Sequence, residues 1–266
     1  MLEPRLKGKK ELKKMPPIDI SRRIRRHMTK AIASYNMLKE GDHVMVAVSG
    51  GKDSTILLLL MQEIQKKAPF RFTFEGVLLD QKQPGFQPER YKAWLLEKGL
   101  SLTIIEEDTY TIVQDKIEAH KTFCGLCSRL RRGILYNYAD KHKFTKIALG
   151  HHQDDLNETL LLNLFYSGRV ASMPPKLYSD DGRNTVIRPL MEVPESWLSA
   201  YEKELNIPVI PCNLCGSQEN LRRKEIKKLI SHLETDIPGV RSSMLTAMKN
   251  IRPSQLLDQD LQNFDH

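Results

Sequence analysis

Apolar residues recur along the chain at two spacings, and the spacing alternates. From Ser21 to Leu38, Ile24, Met28, Ile32 and Met37 fall at helical intervals, with Ser21 as a candidate N-cap and Gly41 as the stop. His43–Val48 is a short β-branched run that predicts a buried strand. A glycine-rich turn follows, then a helix through about Lys66. Further strands are expected at Phe72–Asp80, Leu102–Ile105, Lys146–Leu149 and Val186–Leu190. Helices are expected at Pro88–Lys98, Ile112–His120, Ser128–His142, Asn157–Tyr166, Glu195–Leu205 and Asn220–Leu233.

Alternating strands and helices imply an α/β fold with a parallel sheet covered by helices on both faces. Ligands of such sheets bind outside the carboxyl ends of the strands. No internal repeat or low-complexity block interrupts the pattern. Residues 1–18 read as irregular, broken by Gly8 and Pro16-Pro17. The expected organisation is an arm and helix over 1–40, a catalytic domain over 41–235 and a tail over 236–266.

Charge adds an asymmetry to this picture. Residues 1–27 carry ten basic and three acidic side chains, a net +7, and the remaining 239 residues together hold +1. A basic arm on a nearly neutral globule points to a polyanionic partner. The longest apolar run, Ile56–Met61, is far short of the roughly 20 residues of a membrane helix. The basic N-terminus has no apolar core of the secretory kind, and four cysteines in 266 residues do not make a disulfide scaffold. The cell interior, the cytoplasm, is the expected compartment.

Three clusters carry candidate chemistry. Ser49-Gly50-Gly51-Lys52-Asp53-Ser54 joins a strand to a helix. Two glycines allow close backbone approach, and the helix start offers free N–H groups and a positive dipole end, so the turn suits phosphate. It matches neither Gly-x-x-x-x-Gly-Lys-Ser/Thr nor Gly-x-Gly-x-x-Gly. Gly150-His151-His152-Gln153-Asp154-Asp155, running on to Glu158-Thr159, follows the fourth expected strand and has the donors to hold metal or phosphate. Cys124-x-x-Cys127 and Cys212-x-x-Cys215 use every cysteine in the chain. Structural zinc, an iron–sulfur cluster and a redox thiol pair all fit that spacing.

The hexapeptide resembles the PP-loop of the ATP pyrophosphatase superfamily. The resemblance implies a Rossmann-like (adenine nucleotide α-hydrolase, or HUP-like) sheet and cleavage of ATP between its α and β phosphates. Ser49, Gly50, Gly51, Lys52, Asp53 and Ser54 would hold pyrophosphate and Mg²⁺. The histidine-rich segment is similar to the second motif of PP-loop tRNA-modifying enzymes, and Arg188-Pro189-Leu190 to another of their elements. Gly150 and His151 would line the nucleotide site, and Asp154 or Asp155 would assist the metal. Leu79–Phe86, with Asp80 toward the adenosine half of ATP, resembles the tRNA 2-thiocytidine synthetase (TtcA) family. In that family a [4Fe–4S] cluster is held by three cysteines, which implies Cys124, Cys127 and Cys215 here, with Cys212 the less certain fourth thiol.

The family further implies an ATP-dependent tRNA sulfurtransferase. Cytidine 32 of the anticodon loop would be adenylated and then thiolated at C2. A sulfur donor such as a cysteine desulfurase and a homodimer are also implied. Basic residues Lys13, Lys14, Arg22, Arg23, Arg129, Arg131, Arg132, Arg222 and Arg223 are candidate RNA contacts. Phe123, Tyr136 and Tyr138 are candidates for stacking on a base. Two alternatives fit parts of the pattern: a lysidine synthetase-like ligase, which shares both nucleotide motifs, and a zinc-stapled RNA-binding protein.

Overall fold

The computed structural model describes residues 19–116, 123–210 and 218–261. Six strands form one sheet in the order β3-β2-β1-β4-β6-β5. They are β1 (His43–Val48), β2 (Thr73–Asp80), β3 (Leu102–Glu106), β4 (Lys146–Ala148), β5 (Lys176–Tyr178) and β6 (Thr185–Ile187). All neighbours are parallel except β5 and β6. The antiparallel edge strand β5 was not expected. The last expected strand starts and stops early, at Thr185–Ile187, because the chain turns over residues 188–191, where the Met191 N–H reaches the Arg188 carbonyl at 3.2 Å.

The strands bury alternate residues on opposite faces, as a pleated sheet must. Val44, Val46, Val48 and Leu78 join a core with α1 (Ile20–Ser34), α2 (Lys52–Gln65), α3 (Glu89–Glu97) and α7 (Glu195–Leu205). Met45, Ala47, Val77, Leu79, Ile147 and Val186 form the second core, against Leu135 and Ala139 of α5 (Phe123–Lys141). Helix α4 (Thr109–Lys116) precedes α5, and α6 (Gln153–Ser167) follows β4. Ile56, Leu57, Leu58 and Leu60 of α2 are fully buried. Truncating any one to alanine costs about 2–5 kcal/mol.

Helix α1 begins one residue before Ser21. The carboxylate of Asp19 accepts the Arg22 N–H at 3.0 Å and is the cap. Ile24 and Met28 are fully buried in the main core, so α1 belongs to the domain and not to an arm. At the other end, the expected tail contains α9 (Val240–Met248), packed on α6 and on α8 (Gln218–Asp236).

The chain leaves β1 toward β2 and β3 in one direction, and enters β4 and β6 in the other. The carboxyl ends of β1 and β4 therefore flank a crevice where crossovers diverge. Buried Asp42 holds the opposite ends of these strands together, accepting from Lys146 Nζ at 3.1 Å and Thr145 Oγ1 at 2.8 Å.

Candidate active site

The turn after β1 is built around its own hydroxyls. Ser54 Oγ accepts the Ser49 N–H at 3.0 Å, and Ser49 Oγ accepts the Gly51 N–H at 3.3 Å. Gly50 has φ +80°, a region L side chains rarely adopt, and a Cβ there would lie 2.8 Å from Ile210 Cβ. Gly51 caps α2, so the first N–H groups of that helix face the crevice. A Cβ on Gly150 would lie 2.8 Å from the Ser54 backbone nitrogen. The second motif thus presses directly on the first, and only glycine fits.

Lys52 and Asp53 stand at the mouth of this turn. Lys52 Nζ lies 3.1 Å from Asp53 Oδ1 and 3.4 Å from Glu195 Oε1. Burial pulls the Lys52 ammonium down, but the two carboxylates more than offset this and hold it above its ordinary range. Glu195 also accepts from Lys227 Nζ at 2.7 Å. Burial would raise the Glu195 carboxyl, yet Lys227 and Lys52 hold it below the ordinary carboxylate range. Sequence reasoning singled out neither Glu195 nor Lys227 for the nucleotide site. Their signal is tertiary: a helix N-terminus and a basic helix face that meet only in the fold.

The adjacent acids of the second motif have separate fates. Asp154 is buried and fully committed. One oxygen pairs with Arg241 of α9, and the other accepts the Glu195 N–H at 2.7 Å. Asp155 accepts the His152 N–H at 3.0 Å and faces the crevice, 3.7 Å from Arg223 Nη1. His152 Nε2 lies 3.4 Å from Asp155 and 3.8 Å from Asp53. A cavity of about 300 Å³ is lined by Asp53, His152, Asp155, Glu195, Arg223 and Lys227, among others. His151 Nδ1 and His152 Nδ1 are buried with no hydrogen-bond partner among the described residues, and Asp53 Oδ1 is buried against the Lys52 ammonium. Burial lowers the His151 imidazole to about 4, so this ring is neutral near pH 7. A glycine cradle, the Lys52 cation, the Asp53 carboxylate and unpartnered imidazole atoms fit a phosphate chain with a divalent ion.

Cys127 and the residues that lead to the second cysteine pair also lie among the described residues. The first cysteine pair opens α5, which starts at Phe123 and not at the expected Ser128. The Cys127 thiol is half-buried and donates to Gln81 Oε1 at 3.3 Å. Gln81, buried at the end of β2, also accepts from Thr109 Oγ1 at 3.1 Å. Asp80, its neighbour, accepts the Lys82 N–H at 2.7 Å. Ile210, two residues before Cys212, donates its N–H to the Gly50 carbonyl at 2.9 Å. The Cys124 side chain, and Cys212 and Cys215 entirely, lie outside the described residues, as do Lys13 and Lys14. A half-buried thiol at Cys127 is among the donors that a thiolate-ligated centre uses.

Residues 20–230 match the model of the PP-loop domain family. The tRNA-cytidine(32) 2-sulfurtransferase of Bdellovibrio bacteriovorus is 52% identical over 242 residues, covering 91% of this chain and 93% of that protein. That of Tolumonas auensis is also 52% identical, over 92% of this chain and 81% of its own length. The chain belongs to the tRNA 2-thiocytidine synthetase family of PP-loop proteins. In fold it resembles the U34-tRNA thiolase NcsA from Methanococcus maripaludis, a structure solved with its [4Fe-4S] cluster. That likeness has a TM-score of 0.69 at 20% identity, over 88% of this chain and 80% of that one.

The other candidate contacts of this PP-loop protein are spread more widely. Arg22 is exposed on α1, and the Arg23 guanidinium lies over the Trp197 ring at 5.0 Å. Arg129, Arg131 and Arg132 follow the first cysteine pair along α5. Arg222 lies over the Tyr166 ring at 4.7 Å. Arg223 reaches Glu158 at 3.4 Å and Thr159 at 3.3 Å. Arg188 is buried and donates to the Pro174 carbonyl at 2.7 Å, a structural use of that element. Tyr136 and Tyr138 are half-buried against the second core, and the Tyr138 ring stacks on His142 with centroids 4.1 Å apart. The Phe123 side chain lies outside the described residues. No described helix is long and apolar enough to cross a membrane.

Proposed function

We propose that this protein is an ATP- and Mg²⁺-dependent tRNA sulfurtransferase that converts cytidine 32 of the anticodon loop to 2-thiocytidine. The single observation that carries this reading is the bond from the Ile210 N–H, two residues before Cys212, to the Gly50 carbonyl of the phosphate loop. The chain that leads to the second cysteine pair is thereby tied to the loop proposed to hold ATP. The family's named activity and the two Cys-x-x-Cys pairs support the same reading.

The chemistry has two steps. The C2 oxygen of cytidine attacks the α-phosphorus of ATP, the α–β bond breaks and pyrophosphate leaves. A sulfur nucleophile then adds to C2 and AMP departs with the former base oxygen. Adenylation is needed because a carbonyl oxygen leaves poorly and AMP leaves well.

Ser49, Gly50, Gly51 and Ser54 bind the pyrophosphate through backbone N–H groups and hydroxyls, with the α2 dipole behind them. Lys52 exchanges Glu195 for a phosphate oxygen as charge builds there, and Lys227 keeps Glu195 neutralised. Asp53 and Asp155 are the residues that would hold Mg²⁺, which offsets the pyrophosphate charge. Gly150 and neutral His151 close the nucleotide side, with Asp80 at the end of the adjacent strand. Asp154 acts by position, fixing α7 and therefore Glu195.

Cys124, Cys127 and Cys215 would hold a [4Fe–4S] cluster, with Cys212 as the fourth thiol of the set. That group supplies an open iron position for the sulfur. Gln81 orients the Cys127 side chain. The basic arm and the arginines of α1, α5 and α8 supply affinity for the phosphate backbone and not base choice. A cytoplasmic location, a cysteine desulfurase as sulfur source and a homodimer complete the proposal, all from the family resemblance.

Product analysis tests the adenylation step. With tRNA containing cytidine 32, ATP should yield AMP and pyrophosphate, and Lys52→Ala should abolish this. Release of ADP and phosphate, or tRNA-independent turnover alone, would overturn it.

A further inference from the structure

Beside the nucleotide cavity lies a second cleft of about 420 Å³, lined by Ser128, Leu162, Asn163, Tyr166, Ser167, Arg222 and Arg223. It lies between the carboxyl end of α6 and the start of α8, and Ser128 directly follows Cys127. Its volume falls in the range of small-ligand sites, roughly 300–1,000 Å³. Its lining has the chemistry of a single-stranded nucleic-acid site: two guanidinium groups, hydroxyls, an amide and one aromatic face.

Tyr166 and its neighbour Phe165 are about half exposed, at 47% and 55%. Only Tyr166 of the two lines the cleft, and an exposed aromatic ring there is a stacking platform for a base. The Arg222 guanidinium lies over the Tyr166 ring, 4.7 Å from its centroid, which adds a cation to the platform. Arg223 lines both this cleft and the nucleotide cavity, where it reaches Asp155 and Glu158. Along α8, Arg223 and Lys227 are one turn apart, about 6 Å along the axis. The cleft therefore lies a short step from the site of adenylation and beside the first cysteine pair.

We propose that this cleft receives one nucleotide of the tRNA anticodon loop next to the target cytidine, with its base on Tyr166 and its phosphodiester on Arg222. The inference rests on the tRNA reading above and deepens it. A loop held there by stacking and one phosphate leaves the adjacent base free to turn into the nucleotide cavity. Stacking tolerates any base, so the cleft sets register and not sequence.

The test is equilibrium binding of an anticodon stem-loop RNA to the full-length protein across a salt series. A fully paired stem of equal length is the control. Tyr166→Ala should weaken stem-loop binding about tenfold with an unchanged salt slope, and Tyr166→Phe should restore it. Arg222→Ala should weaken it and lower the salt slope by about one. The paired stem should bind all variants alike. If both alanine variants are folded, by circular dichroism, and bind the stem-loop as the unaltered protein does, the cleft proposal is wrong. The tRNA reading then still stands if the unaltered protein forms 2-thiocytidine. If no 2-thiocytidine forms, the reaction assignment fails while the binding series still decides the cleft.

Discussion

Ile210 donates its backbone N–H to the carbonyl of Gly50 at 2.9 Å, and its side chain fills the space a Gly50 Cβ would need. The phosphate loop and the approach to the second cysteine pair are one local structure, 160 residues apart in sequence. A change on either side should be felt on the other.

Gly50→Ala tests this coupling. A left-handed φ costs a non-glycine residue about 1–2 kcal/mol, and the overlap with Ile210 adds to it. The expected result is a lowered melting temperature and loss of ATP binding by calorimetry. Ile210→Gly in the same background should recover part of the stability, since it removes the overlap, closest at the Ile210 Cβ, but not the strained φ.

Asp154 and Asp155 should separate cleanly. Asp154→Asn removes the charge that Arg241 and the α7 N-terminus share, and should cost about 1–3 kcal/mol of unfolding free energy. Arg241→Met should cost a similar amount, and the double variant less than their sum. Asp155→Asn should leave the denaturation midpoint nearly unchanged while weakening Mg²⁺-dependent ATP binding at least tenfold. Equal loss of metal dependence in both single variants would put Asp154 back among the metal ligands.

His151 should leave a signature in the pH dependence of stability. Its folded value of about 4 lies below the ordinary imidazole range. The unfolded chain thus takes up a proton between about pH 6.5 and 4 that the folded chain refuses. Stability is unaffected above that window and falls as the pH drops through it, by at most about 1.4 kcal/mol per unit for one group. His151→Asn should flatten this acid-side slope in urea titrations at pH 7, 6, 5 and 4.

The cysteines should divide metal chemistry from nucleotide chemistry. Serine at Cys124, Cys127 or Cys215 should abolish iron and labile sulfide in anaerobically purified protein while ATP binding persists. Serine at Cys212 should leave the cluster in place. Stoichiometric zinc without iron would overturn the cluster assignment.

Much of this was legible in the chain. The run His43–Val48 followed by two glycines and Lys52 marks both a strand and the loop after it, because buried strands and phosphate turns are local features. The spacing of Ile24, Met28 and Ile32 likewise fixes α1. What was not legible is non-local. Lys176–Tyr178 is three residues long, and only its pairing with β6 makes it a strand. The start of α6 is set by the bond from the His152 N–H to Asp155, inside a segment whose acids read as a ligand motif. Nothing near Asp154 signals Arg241, 87 positions away, so the two acids looked equivalent. Tyr166 reads as one more apolar helix position until α8 brings Arg222 onto its ring.

The central claim is that the PP-loop and the cysteines act on one base. Nucleoside analysis of tRNA tests it most directly, after anaerobic incubation of the reconstituted protein with unmodified tRNA, ATP, Mg²⁺ and sulfide. The expected result is 2-thiocytidine at position 32, absent without ATP and absent with Cys127→Ser. Lysidine in its place, or no 2-thiocytidine from a protein with a full complement of iron and sulfide, would contradict it.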